Sequence, residues 1–319
     1  MIAAFILSHP KATKRIGGSV AIVLLAAMLY WMGVGPGWLQ PFLPEALQSP
    51  GASRVAAAIV ISLLIALNWK VLGLLPRLYQ VGAVWAELFA LLLLFFYSFN
   101  LSFSFIAKKI GFLITQGVVT TLYISVISIV IATIIALIGA IAKLSKNGVV
   151  YGLASFYTSL FRGLPLLMQI YIIYLGLPQV GYVIGAIPAG ILALSLCYGA
   201  YMTEIFRAGI ESIPKGQSEG ATALGLRPNH TMFLVILPQA MRVIIPPTGN
   251  QFIAMLKDSS LVSVVGVWEI MYLARTMGQK EFRHIEMLIT ASMIYWLLSI
   301  ALEIIQARIE ERFGRSLKR

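Results

Sequence analysis

Two charged side chains, Arg162 and Asp258, lie within apolar stretches of this chain. A charge inside a membrane span is expensive and usually faces a cavity or a partner. The guanidinium of Arg162 could bind a carboxylate, and the carboxylate of Asp258 could bind an ammonium group. The two side chains would then hold the two ends of a zwitterion. Alternatively, they neutralise one another or hold an interface between subunits.

Membrane helices would have to position these two charges. Arg162 lies about eleven residues into its apolar run, roughly 17 Å at the helical rise of about 1.5 Å per residue, and therefore near the midplane. Asp258 follows the Pro-Pro-Thr-Gly run at 246–249, which we expect to interrupt the preceding helix. An interrupted helix frees backbone groups that are tolerated at depth only beside protein or a water-filled path.

Further side chains are candidates for the same path through the membrane. Ser259 and Ser260 follow Asp258 and offer hydrogen bonds. The other candidates, which could equally be packing residues, are Met168, Gln169, Tyr198 and Tyr201. Glu204 and Arg207 are three residues apart, on one face of a helix, and are interpreted as a structural ion pair.

The composition is that of an integral membrane protein. Of 319 residues, 59% are hydrophobic and 11% are charged, and the mean hydropathy is +0.89. A soluble domain of this size could not bury so much apolar surface. Apolar runs of about 20 residues, long enough to cross a hydrocarbon core of about 30 Å, recur along the chain. We predict an all-α integral membrane protein with about eight transmembrane helices, near residues 17–34, 55–75, 81–105, 113–142, 151–177, 186–209, 232–256 and 285–307.

The net charge of +12 lies beside the apolar runs and forms no basic face, so we expect contacts with membrane lipid and no nucleic acid partner. The positive-inside rule places both termini and the loop near 210–231 in the cytoplasm. Lys108 and Lys109 fall on the outer side, against that rule. Cys197 is the single cysteine and the three histidines lack metal-ligand spacing, so we expect no disulfide, no metal site and no cofactor.

The chain divides into three predicted parts. Residues 1–110 form an N-terminal transmembrane extension, residues 111–310 form a membrane core with a loop at 211–230, and residues 311–319 form a basic cytoplasmic tail. Proline and glycine residues at 35–53 indicate an external linker within the extension.

The loop at 211–230 has the signals of a helical hairpin. Pro214 suits the first turn of a helix, with Ser212 as a cap, and Gly225 suits the left-handed position after its end. Pro228 can begin a second short helix. The loop would then present two helices and a tight turn at the membrane surface, joined to both flanking spans.

The hairpin sequence, Glu219-Gly220-Ala221 with Gly225 and then Val235-Ile236-Leu237-Pro238, resembles the cytoplasmic EAA loop of ABC-transporter permeases. Gly220 stands where that family has alanine, and Val235 stands where it has isoleucine. The resemblance implies a five-helix importer-permease core that couples to separate ATP-binding subunits. By this resemblance the coupling residues are Glu211, Lys215, Glu219, Gly220, Ala221, Gly225, Leu226 and Arg227. The alternative is an ordinary amphipathic surface loop.

Three further stretches resemble the polar amino acid uptake branch of these permeases: GVVTTL at 117–122, FRGLPLLMQ at 161–169 and LKDSSL at 256–261. The resemblance implies import of an amino acid substrate delivered by an extracytoplasmic substrate-binding protein. It also implies a second permease subunit, identical or related, and a location in the bacterial plasma (inner) membrane. Closure of the ATP-binding subunits would draw paired hairpins together and reorient the site in the membrane.

The chain has no G-x-x-x-x-G-K-[ST] phosphate loop, so ATP would bind to another subunit, and we expect the chain itself to be no enzyme. An ion-coupled secondary transporter is an alternative, favoured by the buried charges and the predicted broken helix. A channel-like or structural membrane protein is a further alternative.

Overall fold

The computed structural model describes residues 49–97, 99 and 101–314. The predicted span at 17–34, most of the linker at 35–53 and the end of the basic tail lie outside these residues. The chain forms two compact units, Met1–Ser98 and Phe99–Arg319. Their boundary precedes the predicted one at residue 110 because residues 103–112 pack with the second unit, where Phe105 is buried beside Leu113 and Ile270.

The described residues of the first unit form two helices, α1 (Pro50–Gly73) and α2 (Arg77–Tyr97). The Ser49 hydroxyl caps α1 by accepting a hydrogen bond from Ala52 N at 3.4 Å. Asn68 Nδ2 donates to Glu87 Oε2 at 2.8 Å, so two polar side chains on apolar helices satisfy one another. α1 matches the predicted second span, whereas α2 ends at Tyr97, short of the predicted residue 105.

The second unit is a bundle of helices. A helix of 41 residues, Phe103–Lys143, comprises α3 (Phe103–Phe112), a π-helical stretch (Leu113–Val118) and α4 (Val119–Lys143). The other helices are α5 (Gly148–Gly163), α6 (Leu166–Tyr171), α7 (Ala186–Glu211), α8 (Lys215–Ala223), α9 (Pro228–His230), α10 (Leu237–Asp258), α11 (Ile270–Lys280) and α12 (His284–Gly314). A π-helical stretch (Thr231–Ile236) joins α9 to α10, and a 3-10 helix (Ser259–Val265) extends α10.

The packing of α4 against α7 forms the centre of this unit. Gly139 of α4 lies so close to Thr203 of α7 that a Cβ at Gly139 would be 2.5 Å from Thr203 Oγ1. Both helices bury small residues: Ala132, Ala136, Ala140, Ala189, Ala193 and Ala200. Small residues allow membrane helices to approach closely, and the resulting dispersion contacts stabilise the pair. The α4–α7 pair is therefore the scaffold that positions the polar side chains of α7.

The predicted span at 151–177 is not one straight helix. α5 and the helix that follows it, Leu166–Val180, meet at an angle of 106°. Pro165 disfavours helical backbone at Leu164, whose φ and ψ are −90° and 137°. The buried Gln169 amide donates hydrogen bonds to the carbonyl oxygens of Phe161 and Leu164, both at 2.9 Å. The break therefore leaves these carbonyl groups satisfied inside the protein.

The predicted interruption at 246–249 does not occur. α10 is continuous with Pro246 and Pro247 inside it, and it belongs to a helix of 38 residues, Pro228–Val265. Thr248 Oγ1 donates to Ile244 O at 2.8 Å, and Gln306 of α12 donates to Pro246 O at 3.2 Å. These hydrogen bonds flank the proline pair, and the carbonyl groups that the prolines leave without a helical N–H donor are those of Arg242 and Val243.

Six helices among the described residues are long and apolar enough to cross a membrane, or seven if α5 and its bent continuation form one span. The all-α, multi-pass membrane architecture is therefore confirmed. The number of eight spans stays a prediction, because the first of them lies outside the described residues.

Candidate functional site

A cleft of about 440 Å³ lies where the α5–α6 break meets α7 and α10. Arg162 and Asp258, distant in sequence, both line it, and so do Tyr198 and Tyr201 of α7. The remaining lining residues are Gly163, Leu164, Pro165, Leu166, Cys197 and Gln251. The break in the α5–α6 span supplies one wall, because it turns the end of α5 toward the other two helices.

Asp258 is an exposed carboxylate at the end of α10. Its Oδ2 accepts a hydrogen bond from Tyr198 OH at 2.7 Å. No described lysine, arginine or histidine forms an ion pair with it. Asp258 and Arg162 thus share the cleft without neutralising one another. The Asp258 carboxylate is available to an ammonium group of a ligand.

Arg162 lies near the end of α5, with its side chain 43% exposed. Its Nη1 is 3.9 Å from Glu204 Oε1, and its Cζ is 5.4 Å from the centre of the Tyr201 ring. Lys143, the last residue of α4, contacts the same oxygen of Glu204. Arg162 is therefore level with the Lys143 end of α4, and not at the midplane expected for a straight span.

Glu204 is the centre of an ionic cluster on α7. Arg207 Nε donates to Glu204 Oε2 at 3.0 Å, which confirms the predicted ion pair. Arg207 Nη1 also donates to Glu211 Oε2 at 2.6 Å. The cluster therefore extends from Arg162, on the cleft, to Glu211, where α7 ends and the hairpin begins.

Four of the predicted path residues lie outside the cleft. Ser259 is buried, and its hydroxyl donates to Leu256 O at 2.7 Å. Ser260 lines a different cavity, beside α12. Met168 is exposed but does not line the cleft. Gln169 is buried and holds the α5–α6 break, so it supports the wall of the cleft from behind.

Gln251 lines the cleft but did not stand out in the sequence. It precedes Asp258 by seven residues, which is about two helical turns and places both side chains on one face of α10. This spacing could have identified Gln251 only if the helix were known to be continuous beyond 246–249. The proline pair instead predicted an interruption there.

The loop at 211–230 forms a hairpin with the predicted left-handed turn. Gly225 has a φ of 75°, a backbone conformation that favours glycine. Gly225 N donates to Thr222 O at 2.9 Å, and Leu226 N donates to Ala221 O at 3.1 Å. These are the two hydrogen bonds of a Schellman motif, which fixes the direction of the chain after α8.

Two details of the hairpin differ from the prediction. Ser212 does not cap α8, because its hydroxyl donates to Gly209 O at 2.7 Å. Pro228 does not begin a separate short helix; it begins α9, the first turn of the 38-residue helix that contains α10. Gln239 Nε2 donates to Gln217 Oε1 at 3.0 Å, so α8 is attached to the beginning of α10.

The hairpin presents a polar surface with one apolar tip. Leu224 is 84% exposed, whereas Ala221 is 4% exposed. Leu226 is half-buried, and the other predicted coupling residues are exposed: Glu211, Lys215, Glu219, Gly220, Gly225 and Arg227. The hairpin therefore exposes charged side chains together with one large apolar side chain.

Residues 132–315 match the family described as "binding-protein-dependent transport system inner membrane component". The chain is 39% identical over 214 residues to the arginine transport system permease protein ArtQ of Bacillus subtilis (strain 168), covering 67% of this chain and 97% of that protein. It is also 39% identical over 204 residues to the L-cystine transport system permease protein TcyB of the same organism, covering 64% and 87%.

Solved structures are similar over the same share of the chain. A crystal structure described as an amino acid ABC transporter with histidines has a TM-score of 0.62 and 34% identity, covering 66% of this chain and 99% of that one. The inward-facing MetNI methionine ABC transporter has a TM-score of 0.56 and 21% identity, covering 63% and 96%, and this likeness shows the fold alone. None of these relatives supports the ion-coupled alternative. The chain belongs to the binding-protein-dependent transport system inner membrane components, as a permease subunit of an ABC importer.

Proposed function

We propose that this permease serves an ATP-driven importer of an amino acid, whose ammonium group binds Asp258 and whose carboxylate binds Arg162. The observation that carries the proposal is that these opposite charges line one cleft and are not paired with each other. Relatives are named for transport of arginine, L-cystine and glutamine, which share the zwitterionic backbone that such a charge pair fits.

The hairpin is proposed to couple this cleft to two ATP-binding subunits. Its exposed residues would contact those subunits, and ATP would bind to them and not to this chain. α7 and α10 continue directly from the two ends of the hairpin, so a displacement of the hairpin moves two walls of the cleft.

The other partners follow from the same proposal. An extracytoplasmic binding protein delivers the substrate, and a second permease subunit, identical or related, completes the path. The assembly sits among lipids of a bacterial inner membrane, in agreement with the description of the matched family. The first unit, which includes α1 and α2, is proposed to be an added N-terminal extension.

The ionic cluster around Glu204 is proposed to link substrate binding in the cleft to the hairpin. Glu204 already lies 3.9 Å from Arg162, so a substrate carboxylate at Arg162 competes with an internal carboxylate. Displacing Glu204 from Arg162 leaves it more strongly paired with Lys143 and Arg207, and Arg207 in turn holds Glu211. Occupancy of the cleft thereby alters the contacts at the start of the hairpin.

Equilibrium binding to the purified permease–ATPase complex tests the charge pair. Binding of labelled arginine, glutamine and cystine is measured first. Analogues that lack one charged group then compete with whichever amino acid binds. For arginine these are the decarboxylated amine and the N-acetylated acid. Each analogue should compete at least about tenfold more weakly, because one charge-assisted hydrogen bond is lost. Competition by the two analogues that is as strong as competition by the unmodified amino acid would contradict the proposed site.

A further inference from the structure

A groove of about 370 Å³ lies between α4 and α5, beside α7. Three small residues that line it, Gly139, Ala142 and Ala154, are buried or half-buried. Two large aliphatic residues that also line it, Ile138 and Leu153, are 64% and 69% exposed. The groove therefore has a floor of small residues between ridges of large aliphatic ones.

The lining of this groove is almost wholly apolar. Tyr157 is the only lining residue with a polar side chain, and its hydroxyl already donates to Leu196 O at 2.7 Å. A buried water usually needs about two to four polar partners, which this lining does not supply. The groove is therefore suited to a hydrocarbon occupant.

The groove lies in the half of the membrane next to the hairpin. Its residues on α4, from Ile135 to Ala142, occupy the last two turns before Lys143, a length of about 10.5 Å. Lys143 contacts Glu204, which lies seven residues before the end of α7 at Glu211. The hairpin begins at that end of α7, on the cytoplasmic side, so the groove faces the inner leaflet.

Lys146 lies at the inner end of the groove. It belongs to the loop that joins α4 to α5, four residues after Ala142 and four residues before Val150, both of which line the groove. Lys146 is exposed, and no described residue forms an ion pair with it. Residues 144–150 include no aspartate or glutamate. The loop therefore presents an uncompensated positive charge at the membrane surface.

We propose that the groove binds an acyl chain of an anionic phospholipid of the inner leaflet, whose phosphate group contacts Lys146. An unbranched hydrocarbon chain fits between the two ridges, whereas an α-helix, about 10–12 Å wide, is too thick for a groove of about 370 Å³. A lysine near the membrane surface attracts anionic headgroups, while its apolar stem lies along apolar surface. The bound lipid bridges α4 and α5 beside the Lys143–Glu204 pair. This site is separate from the cleft, and the inference does not depend on which solute the cleft binds.

Photolabelling of the permease–ATPase complex in lipid nanodiscs tests the headgroup contact. Phosphatidylglycerol and phosphatidylcholine, each with a diazirine in its acyl chain, are compared at equal mole fraction, and the labelled peptides are identified by mass spectrometry. Phosphatidylglycerol should label residues 135–154 about fivefold more, the factor expected for one basic residue at the membrane surface. Lys146→Gln should abolish this preference. Arg308→Gln, which removes an exposed cation of α12 outside the groove, should keep it. Equal labelling of the wild type by both lipids would overturn the proposal.

A variant that fills the groove tests the acyl-chain contact. Ala142→Phe places a large side chain in the groove and should reduce labelling of residues 135–154 to the level found on α12. Ile134→Phe, at an exposed position of α4 outside the groove, is the matched control and should leave the labelling unchanged. Undiminished labelling of Ala142→Phe would refute the proposal. A photoreactive amino acid in place of Leu153 gives a second measurement: an adduct with lipid is expected, and an adduct with another helix or subunit would show that protein covers the groove.

Discussion

Asp258 and Arg162 differ in how far their charges are already compensated. Asp258 accepts a hydrogen bond from the neutral Tyr198, whereas Arg162 shares the Glu204 carboxylate with Lys143 and Arg207. An ammonium group at Asp258 meets no competing cation in an ion pair with it among the described residues, but a carboxylate at Arg162 must compete with Glu204. The Asp258 contact should therefore contribute more to affinity than the Arg162 contact.

Replacement of Asp258 tests this difference. Asp258→Asn should raise the dissociation constant of the substrate by about 10- to 100-fold, corresponding to about 1.5–3 kcal/mol for a hydrogen bond to a charged group. Arg162→Gln should raise it less. Both are measured by equilibrium binding to the purified complex, with Glu281→Gln as a control because Glu281 is an exposed acid outside the cleft. An unchanged dissociation constant for Asp258→Asn would remove Asp258 from the site.

Two glycines of the hairpin should respond oppositely to alanine. Gly225 has a φ of 75°, which costs a residue with a Cβ about 1–2 kcal/mol, so Gly225→Ala should weaken the hairpin. Gly220 lies inside α8 with nothing within 4 Å of an added Cβ, so Gly220→Ala should stabilise the helix by up to about 1 kcal/mol. The measurement is the yield of ATP-binding subunit that co-purifies with each variant. A lower yield for Gly220→Ala than for Gly225→Ala contradicts this account.

At the scale of helices, α7 carries the cluster that links the cleft to the hairpin. Glu204→Gln leaves Lys143, Arg162 and Arg207 around a neutral amide. We expect the ratio of substrate-stimulated to basal ATPase activity to fall toward one, with the ATP-binding subunits still attached. The reason is that substrate binding at Arg162 no longer changes the ion pairs that lead to the hairpin.

Glu204→Asp serves as the control, since it keeps the charge and should recover part of the stimulation. Attachment of the ATP-binding subunits is checked by co-purification, which distinguishes lost coupling from lost assembly. Wild-type stimulation in Glu204→Gln would show that the cluster is structural only.

The α4–α7 contact tests the packing of the scaffold. Gly139→Val places new atoms against Thr203, where a Cβ alone would lie 2.5 Å from Oγ1, so the helices must separate. We expect a loss of about 1–3 kcal/mol and a melting temperature several degrees lower in detergent. Gly152→Val is the matched control, because an added Cβ there has nothing within 4 Å. Similar melting temperatures for the two variants would contradict the close contact.

The sequence predicted a helix or turn correctly where a turn-forming residue or the length of an apolar run marked its ends. Gly225 predicted the turn of the hairpin, and the apolar run at 186–209 predicted α7 within two residues at its C-terminal end. The break between α5 and α6 was missed because the sequence stays apolar on both sides of Gly163 and Pro165, a pattern that predicts one continuous span. The continuity of α10 was missed for the opposite reason, since a proline pair locally predicts a helix end, whereas α10 continues through Pro246 and Pro247.

At the scale of the whole molecule, the sequence suggested that Arg162 and Asp258 bind one ligand, but it did not show how the fold brings them to one cleft. Their meeting depends on the 106° bend after α5 and on the continuity of α10, neither of which follows from local pattern. The contact between Arg162 and Glu204 depends on the same bend. Gln251 could be identified as a residue of the cleft only once the structure showed that α10 is continuous.

In the proposed mechanism, movement of the ATP-binding subunits displaces the hairpin, and the hairpin displaces α7 and α10, which line the cleft. The chain would then be inert as a transporter without its ATP-binding subunits, although its cleft could still bind substrate. This dependence separates the importer from a carrier that works alone.

Uptake of a labelled amino acid into proteoliposomes is the most direct test of this dependence. Vesicles contain the permease with or without its ATP-binding subunits, ATP or a non-hydrolysable analogue on the side of the hairpin, and the binding protein outside. Uptake should require both the ATP-binding subunits and hydrolysable ATP, and should be unaffected by dissipating ion gradients. Uptake by the permease alone, driven by an ion gradient, would contradict the account.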